Sequence, residues 1–178
     1  MRVQLDVQAV IGASTQFWEQ MLGMPLEAAP IYCEVDAAEQ CLTASVGIAG
    51  AWTGRIEVRM TEKLAWCATA AMMMQPLETV AAEDALDAAR EIANMVAGTI
   101  KSSLPRPCTM TVPEAAIATG DLCGYSDESN TLSLGFNHAE GRLIVRICEL
   151  ECAEPERSAA VKHGLGAAMR LCFDLLPA

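Results

Sequence analysis

The chain has 178 residues, 52% of them hydrophobic and 4% aromatic, and 12 Lys and Arg against 23 Asp and Glu give a formal charge of −11. A chain of that length buries enough surface to fold without disulfides or metal, and so apolar a composition excludes a disordered chain. The acidity disfavours nucleic acid as a partner, because affinity there rests on neutralising phosphates with Lys and Arg.

The opening residues place Gln4, Asp6 and Gln8 where an export signal needs an unbroken apolar stretch, so the protein is expected to be cytoplasmic. Val3 to Leu22 carries the period of an amphipathic helix, closed by Gly23 and Pro25. Glu27 to Val35 reads as a strand, and Pro30 marks it as an edge. Ile56, Val58 and Met60 then alternate with Arg55, Glu57 and Arg59, which predicts a strand with one buried and one wet face. A helix over 61–74 follows, then a turn near Pro76. The longest apolar run, Leu64 to Met74, is too short to span a bilayer, so no membrane association is expected. A long helix from Ala82 to Leu104 is stopped by Pro105 and Pro107. A last helix is expected over 155–176.

The second half resembles the first. Thr43, Ser45, Gly47 and Ala51 match Thr131, Ser133, Gly135 and Ala139 at identical spacing. After one fewer turn residue, Gly54-Arg55-Ile56-Glu57-Val58-Arg59 is answered by Gly141-Arg142-Leu143-Ile144-Val145-Arg146. Two similar hairpins of similar composition would look alike too. A duplicated helix-strand-hairpin-helix unit predicts an α/β (α+β) fold: a two-layer sandwich with a mostly antiparallel sheet of about six strands and helices on one face. Residues 1–178 are expected to form a single domain.

Eight cysteines, at 33, 41, 67, 108, 123, 148, 152 and 172, include no C-x-x-C pair, and only His138 and His163 could assist them. They read as small, reduced core residues, and no metal site or bound cofactor is expected.

The helix beginning at Ala82 carries the information. On a helical wheel Glu83, Asp84, Asp87, Asn94, Gly98, Lys101 and Ser102 fall within about 80° of Glu91. Leu86, Ala89, Ala93, Val96, Ile100 and Leu104 lie opposite and should face the core. Asp87, Glu91 and Asn94 at i, i+4 and i+7 form one ridge. An ordinary solvated face would need neither of two features found here. Asn is poor in the middle of an exposed helix, where its amide competes with the backbone. Gly98 costs the helix about 1 kcal/mol relative to Ala, which suggests that something approaches closely. Met95 adds a flexible apolar contact on the flank.

The run Asp87-x-x-x-Glu91-x-x-Asn94, continuing Met95-Val96-Ala97-Gly98, resembles the signature of the CheX/CheC/FliY chemotaxis phosphatases, closest to the CheX type. The likeness covers about residues 1–151 as a family core, strongest at 84–104, with 152–178 as an additional C-terminal helix. Three departures stand out. The family's downstream proline has only Pro113 as a candidate, after a short connection. The first helix has no E-x-x-N, as in a one-site member. The C-terminal helix could cover a sheet edge that relatives use to form a homodimer.

The resemblance implies hydrolysis of the aspartyl phosphate on a CheY-like response-regulator receiver domain, in chemotaxis or two-component signalling. Glu91 and Asn94 would be catalytic: Asn94 would orient the attacking water, and Glu91 would engage a lysine of the partner. Asp87, Met95 and Gly98 would contact the partner, which would bring its own Mg²⁺. A receiver-binding adaptor of the same fold that hydrolyses nothing fits the motif as well. A thiol-dependent redox or metal protein is a third reading, resting on the cysteine count alone.

Overall fold

The computed structural model describes residues 6–31, 40–119 and 130–150. Helix α1 spans Val7–Leu22; the Asp6 carboxylate caps it, accepting from the backbone N–H groups of Gln8 and Ala9 at 3.0 and 3.1 Å. Residues 3–5 of the expected helix lie outside the described residues, as does the whole of the helix expected over 155–176. Gly23 ends it in the left-handed conformation (φ 65°), which costs a glycine nothing. Strand β1 is only Glu27–Ala29, because Pro30 cannot donate to a ladder; residues 32–35 of the expected strand lie outside the described residues.

The remaining elements are β2 (Gln40–Gly50), β3 (Gly54–Thr61), α2 (Glu62–Met73), a 3₁₀ turn (Leu77–Thr79), α3 (Ala82–Ser102), β4 (Cys108–Met110), β5 (Glu114–Thr119), β6 (Thr131–His138) and β7 (Gly141–Glu149). Seven antiparallel strands run in the order β1-β6-β7-β3-β2-β4, and β5 also pairs with β2. The sheet thus exceeds the expected six strands. The short β4 and β5, between and beyond prolines, lack a hydrophobic alternation that would announce them.

Alternate residues of the long strands point at the helices. Leu42, Val46, Ile56, Val58, Leu143 and Val145 are wholly buried there against Trp18, Leu64, Ile92 and Ile100. Removing that apolar surface from water is the main stabilising term of the two-layer architecture. Among the described helices, none is long and apolar enough to cross a membrane.

The duplication is visible in the pairing. Val58 and Val145, the matching valines of the two Gly-Arg runs, sit directly opposite each other, one pair from the middle of the β3–β7 ladder. An antiparallel pair of equivalent strands in which equivalent residues face each other has a twofold axis between them. The hairpin β2–β3 lies to one side of that axis and β6–β7 to the other. The finer alignment differs from the sequence match. Thr43 pairs with Arg59, whereas Arg146 pairs with Ser133 and not with Thr131. The second turn is tighter, joining His138 to Gly141 across Ala139 and Glu140, and the strand shifts by two residues to meet it. An even shift keeps every side chain on its face.

The face expected to be wet is not wet throughout. Glu57 is 4% exposed, with Arg55 (3.5 Å), Arg146 (3.6 Å) and Arg59 around its carboxylate. Three guanidinium groups compensate the lost hydration, which alternation alone could not reveal.

Candidate functional site

Helix α3 is set by its ends and by one face. At its start the Asp84 carboxylate accepts from the Ala81 backbone N–H at 3.0 Å, and Glu83 and Asp84 complement the positive end of the helix dipole. Proline at 105 ends it just past Ser102. Ala85, Ala89, Ala93 and Ala97 let it lie close on the sheet, with Ile92, Val96 and Ile100 filling the space between. Leu86, expected in the core, is only partly buried at its margin.

The ridge is where the wheel places it. Asp87, Glu91 and Gly98 are exposed, Asn94 and Met95 are half-buried, and Val96 and Ile100 lie buried below. Several of the polar groups along it are already engaged within the helix. Asp87 pairs with Arg90 one turn on, an i,i+3 pair that the sequence reading passed over. Thr99 donates to the Met95 carbonyl at 3.1 Å, and Ser102 donates to that of Thr99 at 2.7 Å. Among the described residues, no side-chain hydrogen bond or ion pair engages Glu91 or Asn94. A carboxylate and an amide one turn apart, both unengaged, can act on something outside the chain.

Gly98 makes room beside them. A Cβ built there meets nothing within 4 Å, so no internal contact requires the glycine. Next to it opens a hollow of about 490 Å³, with Lys101 and Ser102 of α3 on one side and Arg106, Cys108 and Met110 on the other. Sequence reasoning missed Arg106 and Met110 because only the pairing of β4 with β2 brings them to α3. Pro113 is half-buried in the link between β4 and β5.

Cys41, Cys67, Cys108 and Cys148 are unbridged. Burial pushes the Cys67 thiol up, and the Glu140 carboxylate adds to this while Lys63 opposes it. Among the described residues, no group of three or more His, Cys, Asp and Glu side chains could hold a metal ion.

A family model described as "Chemotaxis phosphatase CheX" matches residues 42–137. The chain belongs to the CheX family. No curated protein matches it. A crystal structure of a chemotaxis protein CheX from Desulfovibrio desulfuricans is 21% identical, with a TM-score of 0.63 over 80% of this chain and 97% of that one. A CheC-like superfamily protein from Shewanella sp. PV-4 is 19% identical, with a TM-score of 0.67 over 84% of this chain and 100% of that one. A chain of the CheX-CheY-BeF3-Mg+2 complex from Borrelia burgdorferi is 18% identical, with a TM-score of 0.63 over 83% of this chain and 100% of that one. At these identities they share the CheX fold: an open antiparallel sheet with helices packed on it.

Proposed function

We propose that this chain hydrolyses the aspartyl phosphate of a CheY-like receiver domain, with Glu91 and Asn94 of α3 as the catalytic pair. The observation that carries the reading is their state: neighbours on one exposed ridge, unengaged within the chain, beside a glycine that internal packing does not need. Family membership and a structural relative solved with CheY, BeF3 and Mg+2 support it.

Water attacks the phosphorus in line, the bond from phosphorus to the aspartyl oxygen breaks, and inorganic phosphate leaves. Phosphoryl transfer of this kind is governed by positioning and charge stabilisation. The Asn94 amide can accept a hydrogen bond from the water through its oxygen and donate one to a phosphoryl oxygen through its nitrogen, fixing the nucleophile without being a base. Holding it there removes much of the entropic cost of attack. Glu91 pairs with a lysine of the receiver and fixes the register of the two proteins. Asp87, Met95 and Gly98 belong to the docking surface; the open space at Gly98 lets the partner approach the helix backbone. Mg²⁺ comes with the receiver.

The test is to incubate the protein with a panel of phosphorylated receivers in excess Mg²⁺ and follow loss of phosphoryl group. Acceleration over each receiver's own decay is expected for at least one. Tight binding to an activated receiver with no acceleration would replace the reading with a non-catalytic receiver-binding module.

A further inference from the structure

Along α3 the exposed charge changes sign. Its first half carries Glu83, Asp84, Asp87 and Glu91 against Arg90, and beyond Gly98 come Lys101 and, across the 490 Å³ hollow, Arg106. In a chain of formal charge −11, two cations on one hollow are a local inversion. They are also unspent. Arg55, Arg59, Lys63, Arg90 and Arg146 each have a carboxylate partner, whereas among the described residues no ion pair engages Lys101 or Arg106. The negative end of the helix dipole accounts for Lys101 but not for Arg106, which lies beyond the helix. Lys101 is two turns after Asn94, about 10 Å along the axis, so the hollow continues the ridge.

We infer that this hollow is a second docking point for the receiver: Lys101 and Arg106 hold an acidic surface segment of the partner, whose apolar atoms rest on Met110 and on the open surface at Gly98. The inference rests on the receiver reading of the ridge and deepens it. A contact of one sign lets a partner slide or reverse along a helix; two contacts of opposite sign, Glu91 and then Lys101 with Arg106, admit one direction only. Charge arranged this way gives specificity and steers encounter more than it adds affinity. It holds the receiver so that Asn94, between the two points, meets the phosphoryl group.

Lys101→Glu, Arg106→Glu and the double variant of the full chain test this. The readouts are steady-state dephosphorylation and binding to a beryllofluoride-activated receiver with Mg²⁺, both across a salt series. Each single reversal should raise KM and Kd about tenfold and flatten their salt dependence, with kcat at saturating receiver held. Lys101→Arg, which keeps the charge, should recover most of the affinity that Lys101→Glu loses. Arg106 lies outside the helix, so its variant reports even where Lys101→Glu disturbs the helix end. Unchanged KM and Kd in both reversals, with turnover still lost in Asn94→Ala, would overturn the second docking point and leave the phosphatase reading standing. A fall in kcat at unchanged KM would overturn it too. So would saturable binding of inorganic phosphate at the hollow with receiver affinity intact in the variants. If the wild type neither binds nor dephosphorylates any receiver, both readings fall together.

Discussion

Helices α1 and α3 hold equivalent places in the duplicated fold. Each leads into edge strands that cross to the hairpin of the other half: β1 beside β6, β4 and β5 beside β2. Each buries one face, Val10, Trp18 and Leu22 in α1, and Ile92, Val96 and Ile100 in α3. Their outer faces differ at one telling position. On α1 the exposed Glu19 is followed three residues later by Leu22, which is 9% exposed and belongs to the core. On α3 the exposed Glu91 is followed at the same spacing by Asn94, half-buried and unengaged. Each helix carries an exposed glutamate, Glu19 in the last turn of α1 and Glu91 at the middle of α3, and only Glu91 has an amide one turn on. Under the proposed reading, function lives in that pair of side chains and not in the architecture.

The largest expected effect breaks or keeps this contrast directly. Asn94→Ala should lower receiver dephosphorylation about a hundredfold or more, the scale of losing a positioning group, with affinity changed little. Glu19→Ala on α1 should leave turnover as it was. A wild-type rate in Asn94→Ala, or an equal loss in Glu19→Ala, would remove α3 as the active helix. Glu91→Ala comes next, with turnover and receiver affinity each falling about tenfold, because a register-fixing charge serves both.

How far this was legible follows from the range of the interactions involved. The two long helices and the ridge depend on neighbours three and four residues apart, and the wheel recovers them. The strand β3 was legible for the same reason, through its alternation. The burial of Glu57 was not, since Arg146 reaches it only through the β3–β7 ladder. Strands β4 and β5 were missed because their place rests on backbone pairing with β2, more than fifty residues earlier in the chain for every partner. The hollow beside Gly98 depends on that pairing, so Arg106 and Met110 were invisible with it. The repeat was legible as a pattern and misaligned by two residues, because turn geometry sets register and composition does not.

A smaller effect sharpens the contrast through stability. Gly12 on α1 and Gly98 on α3 both face outward, and a Cβ built at either meets nothing within 4 Å. Leu is favoured over Gly in a helix by up to about 1 kcal/mol, so Gly12→Leu and Gly98→Leu should each raise the denaturant midpoint. Only Gly98→Leu should cost receiver binding, by filling the space into which the partner comes. Loss of binding in both would mean that the docking surface spans the two helices.

The smallest effect concerns how the two hairpin turns are held. The β2–β3 turn is plugged by Trp52, 3% exposed. The β6–β7 turn is tied instead to the start of α2, where Lys63 Nζ lies 2.6 Å from Glu140 Oε2. Their hydrogen bond, then their mutual charge, raises the Lys63 ammonium above 10.5 and lowers the Glu140 carboxyl below 4.5. A raised lysine contributes stability that is complete below its unfolded value and lost as pH climbs through the folded one. A lowered carboxyl contributes stability that is complete above its unfolded value and lost as pH falls through the folded one. The tie is therefore whole across the neutral range and fades at both extremes. Both side chains are well exposed, so water and salt screen most of the attraction. Glu140→Gln should lower Tm at neutral pH and low salt by an amount near the resolution of a melt. The difference should vanish in high salt and in acid below the carboxylate range, with dephosphorylation unaffected throughout. A deficit that persists under both conditions would place the stability in the packing of the turn itself. There Gly141 (φ 148°) has Thr61 Oγ1 only 2.0 Å from where a Cβ would stand, and that oxygen accepts from the Arg142 backbone N–H at 3.1 Å.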